Sequence, residues 1–196
     1  MRIQGLNPVL SETEVTGVNY SEAVSVNDAY GYEAFISATF TTIAPLVIAS
    51  TGWAFATDII TSVGHGIKTG MVFQVSTSTT LPAGVSASTD YWAIYLTDDT
   101  FALASSLANA QAGTKLNFTD AGTGNHTLTI QTNVATFVVQ SSPDETNWFT
   151  HDAMIAVSVV SAAQSKHFES AARFVRLAVT ITKGAATLSG WVQSKG

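Results

Sequence analysis

Short apolar runs, rich in β-branched and aromatic residues and closed by glycine, proline or an Asp/Thr turn, follow one another along this chain. Such runs suit a pleated, half-buried surface, and the punctuation between them suits tight turns. Ala23-Val24-Ser25-Val26 alternates, and Tyr32 to Phe40 reads as a long strand. Ile59, Val63, Val72, Phe73 and Val75 sit in short runs separated by Gly64, Gly66 and Gly70. Pro82 and Gly84 mark a turn before a strand at residues 91–96, and Thr97-Asp98-Asp99-Thr100 joins it to a strand at 101–104 as a hairpin. Within this central stretch only residues 105–112 read as a helical turn. Gly122 and Gly124 then precede a strand at 126–130. Further strands are expected at 135–142, 154–161, 173–181 and 186–193, with Lys183-Gly184 as the turn between the last two.

Composition supports a folded β-protein. Of 196 residues, 46% are hydrophobic and only 11% charged, the latter well below the roughly 25% usual in soluble domains. Disorder goes with the opposite balance. Sparse charge with abundant Ser and Thr also suits a chain that covers much of its surface in an assembly. The net charge of −6, with no block of Lys or Arg, argues against direct nucleic-acid binding. With no cysteine, disulfides and thiolate metal sites are excluded. No amino-terminal charged region precedes an apolar core, so no signal peptide is expected. The run at 43–49 is far too short to span a bilayer.

Residues 57–130 carry the words His65-Gly66-Ile67-Lys68-Thr69-Gly70 and Ala121-Gly122-Thr123-Gly124-Asn125-His126-Thr127-Leu128. This stretch resembles a small β-module that recurs in structural and tail-associated proteins of tailed bacteriophages. The flanks carry weaker resemblances. Residues 137–148 resemble a "V-x-x-S-x-D-G-x-x-W" word of β-sandwich domains, with Glu145 where a glycine is usual, so the turn type there is in question. Ala172-Arg173-Phe174-Val175-Arg176-Leu177 resembles an "A-R-Y-V-R-L" strand of discoidin-like and jelly-roll modules. The expected fold is therefore all-β: an antiparallel, jelly-roll-like β-sandwich from residues 23–44 and 134–196, with a small β-domain, residues 45–133, inserted between two of its strands. Residues 1–22, poor in large apolar groups, are expected as an amino-terminal arm lying on a neighbouring subunit.

His65 and His126 lie in Gly-flanked turns and could share a metal, or each could order its turn by hydrogen bonding; no third ligand has recognisable spacing. Asp98, Asp99 and Asp120 could hold calcium, or serve their turns by bonding backbone N–H groups. His151, Asp152 and His167 lie beside loops without the spacing of a hydrolase, and no Gly-x-Ser-x-Gly elbow is present. Trp148, Trp92, Tyr91, Tyr30 and Tyr32 could line a sugar-binding surface or fill cores and interfaces; Tyr91 and Trp92 must point to opposite faces of one strand. Arg173 and Arg176, three apart, should lie on opposite faces as single charges. The resemblance implies a non-enzymatic virion structural protein, without cofactor, metal or catalytic residues. It would be a head decoration, collar or tail-associated component located in the virion. Its partners would be further copies of itself and other virion proteins of capsid, neck or tail. The alternative is a carbohydrate-binding β-sandwich module recognising host-surface glycans.

Overall fold

The computed structural model describes residues 8–21, 23–25, 31–151, 154–158, 161–169 and 172–194. Along the chain run β1 (Pro8–Tyr20), β2 (Val24–Ser25) and β3 (Gly31–Phe40). Then come β4 (Leu46–Ala49), β5 (Trp53–Ala54), β6 (Ile59–Thr61), β7 (Val72–Thr77), β8 (Tyr91–Thr97), β9 (Thr100–Ala104), the helix α1 (Leu107–Gln111) and β10 (Asn125–Ile130). The series ends with β11 (Asn133–Ser142), β12 (Phe149–Thr150), β13 (Met154–Ser158), β14 (Ser161–Glu169) and β15 (Phe174–Ser194). The fold is all-β, with two antiparallel sheets and one short helix among the described residues. The chain forms two compact units: residues 1–40, 134–181 and 186–196 make one, residues 41–133 and 182–185 the other.

In the first unit β15 is the organising strand. It lies between β11 and β3 in the sheet order β12-β11-β15-β3-β14, and β1 and β2 also pair with it. Val175, Leu177, Val179 and Ile181 alternate into one core with Ile36, Phe40, Phe137 and Leu188. A Cβ on Gly190 would stand 2.7 Å from Leu177 Cδ1. Thirteen residues of straight strand would separate those positions by about 43 Å, so β15 must bend until its two halves face each other across the core. This is the way a strand turns the corner between the layers of a sandwich, and it leaves no room for a side chain at Gly190.

Two expectations need correction here. Residues 8–20, expected as part of an arm lying on a neighbouring subunit, instead form β1, paired with β15 from Pro8↔Trp191 to Tyr20↔Ala178. Its ladder slips between Pro8 and Leu10, Glu12 and Val15, and Val15 and Gly17. Each slip breaks the alternation by which a strand is read from sequence. Residues 1–7 and 22 lie outside the described residues. Lys183-Gly184, expected as a turn between two strands, lies inside the single strand β15, whose β1 partner continues on both sides of it.

The second unit holds a seven-stranded sheet in the order β4-β10-β7-β8-β9-β6-β5. Its two edge strands are joined by only the 3-10 turn Ser50–Gly52. Flat, such a sheet would place its edges about 29 Å apart, whereas the four residue steps from Ala49 to Trp53 reach at most about 14 Å. The sheet therefore rolls up, and Trp53, Phe73, Phe101, Phe118 and Leu128 fill its inside. Thr97 pairs with Thr100 across the hairpin of β8 and β9, as expected from its turn. Ser106 caps α1 by accepting from the Asn109 N–H at 3.1 Å, and Ala110 packs with Ile94 and Ala102 on the other face of the sheet. Residues 182–185 are anchored in this unit. Gly184 N–H donates to Gly70 O at 2.9 Å, Trp92 Nε1–H donates to Thr182 O at 3.0 Å, and Lys183 pairs with Asp90. The Lys183 ammonium holds the Asp90 carboxyl below its ordinary range.

Candidate functional site

The alternation of β15 that sends Val175 and Leu177 inward sends Arg176 outward. On β11 the same alternation turns Gln140 outward while Val139 is buried. The two side chains meet, Arg176 Nε–H donating to Gln140 Oε1 at 2.7 Å. Gln140 pairs across the ladder with Thr150 of β12, and its amide donates to the Thr150 hydroxyl at 3.1 Å. On the other side, β1 ends at Tyr20, opposite Ala178. The Arg176 guanidinium lies 4.3 Å from the centroid of the Tyr20 ring and 4.1 Å from that of Trp148. Each contact of this kind contributes on the order of 0.5–1 kcal/mol at an exposed site, and more when desolvated.

Trp148 reaches Arg176 because the loop before it is tightly tied. The Asp144 carboxylate accepts four hydrogen bonds, from the Thr146 and Asn147 N–H groups, the Asn147 side-chain amide and the Ser142 hydroxyl. The Asn147 bonds, foremost, hold this carboxyl far below the usual carboxylate range. Glu145 has φ 60, the left-handed region that the glycine of the resembling word would adopt freely. Its carbonyl accepts from Trp148 Nε1–H at 3.0 Å. Phe149, the next residue, is 62% exposed and Tyr20 51% exposed.

Of the residues singled out by sequence, the structure brings Trp148 and Arg176 together. It scatters the others. Tyr32 is buried, stacked on Phe168 at 5.5 Å, and Tyr91 lies in the core of the second unit. Trp92 points to the opposite face of β8, as the strand period requires. Tyr30 and Asp152 lie outside the described residues. Arg173 packs over its neighbour Phe174. Tyr20, Gln140, Thr150 and Phe149 escaped sequence reasoning; the only signal for them was the outward phase of β11, which by itself does not show what lies opposite.

The histidines and aspartates of the second unit order their own turns. His65 is buried, its Nδ1 accepts from Ile67 N–H at 2.9 Å, and its ring meets that of Phe101 edge to face. His126 bonds Ala121 O through Nε2 at 2.9 Å and packs edge-on against Trp53. Asp99 accepts from Gly64 N–H, and Asp120 from Ala83 and Gly122 N–H, each at 2.9 Å. The two backbone donors lower the Asp120 pKa. Asp98 accepts from the Tyr95 hydroxyl and thereby raises the Tyr95 pKa. No group of three His, Cys, Asp or Glu side chains is placed to hold a metal among the described residues. His151 Nε2 lies 3.1 Å from Ser141 Oγ, but Ser141 is only 6% exposed, so the hydroxyl is not presented to a substrate. His167, expected beside a loop, lies within β14 opposite Glu33; it is exposed and flanks Gly31, where a Cβ would stand 2.7 Å from its ring.

The fold and site together define an all-β protein of two compact units with an aromatic–guanidinium stack on the outer face of the first. No family model, no curated protein and no solved structure matches the chain. No helix among the described residues is long and apolar enough to cross a membrane.

Proposed function

We propose that this chain is a non-enzymatic structural component of a tailed-bacteriophage virion, a head decoration, collar or tail-associated protein used in many copies. One observation carries the reading. The groups capable of chemistry in the second unit, His65, His126, Asp99 and Asp120, are engaged in holding turns, while large apolar side chains stay exposed. These are Val18, Tyr20 and Phe149 on the first unit and Val47, Phe55 and Val63 on the second, Val63 at 84%. Val47 stands on the edge strand β4, where a further chain could add, and the other exposed apolar side chains offer surface that partners in an assembly would cover. The module words of residues 65–70 and 121–128 support the same reading. Sedimentation velocity of the full chain, from low micromolar concentration upward, tests it: a discrete homo-oligomer is expected, and a monomer that persists at the highest concentration argues against it.

A second reading, recognition of host-surface glycans, is favoured by the stack of Tyr20, Arg176 and Trp148, which joins aromatic faces to polar groups at the surface. It is compatible with a virion location.

A further inference from the structure

We propose that the Tyr20–Arg176–Trp148 stack is a binding site for the carboxylate of an acidic sugar. The inference rests on the glycan reading and adds to it the group that is recognised.

The geometry of the guanidinium sets the ligand. The Tyr20 and Trp148 rings lie against it at 4.3 and 4.1 Å, which leaves its hydrogen bonding to the in-plane donors. Nε–H is satisfied by Gln140. The two Nη groups bond to no acceptor among the described residues, and no carboxylate pairs with Arg176 there. A guanidinium fixed in orientation, with one free fork, matches a planar carboxylate in the bidentate manner. It fits a dianionic phosphate less well, because a second cation is missing: Arg173 is engaged over Phe174, and the chain as a whole carries a net charge of −6.

The surroundings set the rest of the ligand. Thr150 is exposed, its Oγ1 accepts from the Gln140 amide, and its O–H has no acceptor among the described residues. Tyr20, 51% exposed, supplies ring surface beside the guanidinium. A uronic or sialic acid residue carries a carboxylate, hydroxyl oxygens and an apolar C–H face on one rigid ring, and this site offers a partner to each. The ties from Asp144 hold Trp148 in place before any ligand arrives, which lowers the ordering cost of binding.

The test is titration calorimetry of the full chain with tetragalacturonic acid, its neutral methyl ester and galactose 6-phosphate. The free acid is expected to bind at least about tenfold more tightly than the ester, because the ester loses the charged fork contact. Arg176→Lys keeps the charge and loses the fork, and should weaken binding of the acid by about tenfold. Thr150→Val, outside the stack, removes both the hydroxyl donor and the acceptor that holds the Gln140 amide, and should weaken binding of the acid by roughly threefold. Equal binding of acid and ester, or tighter binding of the sugar phosphate, overturns the carboxylate assignment and leaves glycan recognition standing. Binding of none of the three probes overturns both. If Arg176→Lys instead dissolves a homo-oligomer without altering sugar binding, the stack is a subunit contact and the proposal fails.

Discussion

Glu145 holds a backbone conformation that its side chain disfavours, and replacing it with glycine should stabilise the first unit. Its φ is 60, and an L-residue in this region is strained by about 1–2 kcal/mol. Glycine removes that strain but loses roughly 0.5–1 kcal/mol more backbone entropy on folding. The other contacts survive the change: Trp148 bonds the carbonyl of residue 145, and Asp144 makes its ties through its own side chain. Glu145→Gly is therefore expected to add about 0.5–1 kcal/mol. For a unit of about 100 residues this raises the melting temperature by roughly 2–8 °C. Differential scanning calorimetry of the full chain reads the shift. Glu145→Ala is the control, since it removes the carboxylate but keeps the Cβ, and it should gain nothing. Equal gains for alanine and glycine would show that the relief comes from removing charge, and a loss on Glu145→Gly would refute the strain argument altogether.

Gly122→Ala should destabilise the second unit by about 2–3 kcal/mol, combining left-handed strain with the cost of disturbing the Thr80–Thr123 bridge; φ there is +61 and a Cβ would stand 2.3 Å from Thr80 O. Urea unfolding reads the loss, and an unchanged midpoint would contradict it. His126→Ala should cost roughly 2–4 kcal/mol from the lost ring and its hydrogen bond, while addition of a chelator should leave the melting transitions of the parent chain in place, because a bound ion would add stability that its removal takes away. The carboxyls of Asp120 and Asp144 are both held below their ordinary value in the folded chain. The unfolded chain thus binds protons first, so the stability they supply is complete above about pH 5 and falls as the pH drops through the carboxylate range. Asp144→Asn should flatten the acid limb of a stability–pH profile, and an unaltered profile would sink this assignment.

Local punctuation was legible in the sequence, and long-range register was not. Thr97-Asp98-Asp99-Thr100 announced its hairpin, and Ser106 sits at the head of a one-turn helix inside the expected residues 105–112. Glu145 in place of the usual glycine put the turn type in question, yet the residue adopts the positive φ that glycine would. By contrast, β1 was hidden by the slips in its ladder, and Lys183-Gly184 looked like a turn because nothing local reveals that Asp90 and Gly70 wait for those residues. Trp148 and Arg176 were each visible, one as an aromatic and one as a charge. Their meeting depends on strands β1, β15, β11 and β12 standing side by side, and on Tyr20 belonging to a strand, which no spacing along the chain encodes.

A multi-copy part of a virion, as proposed for this chain, must be present in purified particles. Quantitative mass spectrometry of phage particles purified on a density gradient tests it most directly. Peptides of this chain are expected to co-purify with the particles in a fixed, multi-copy ratio to the major capsid protein. Peptides found in the infected-cell lysate but lost from the purified particles would contradict it.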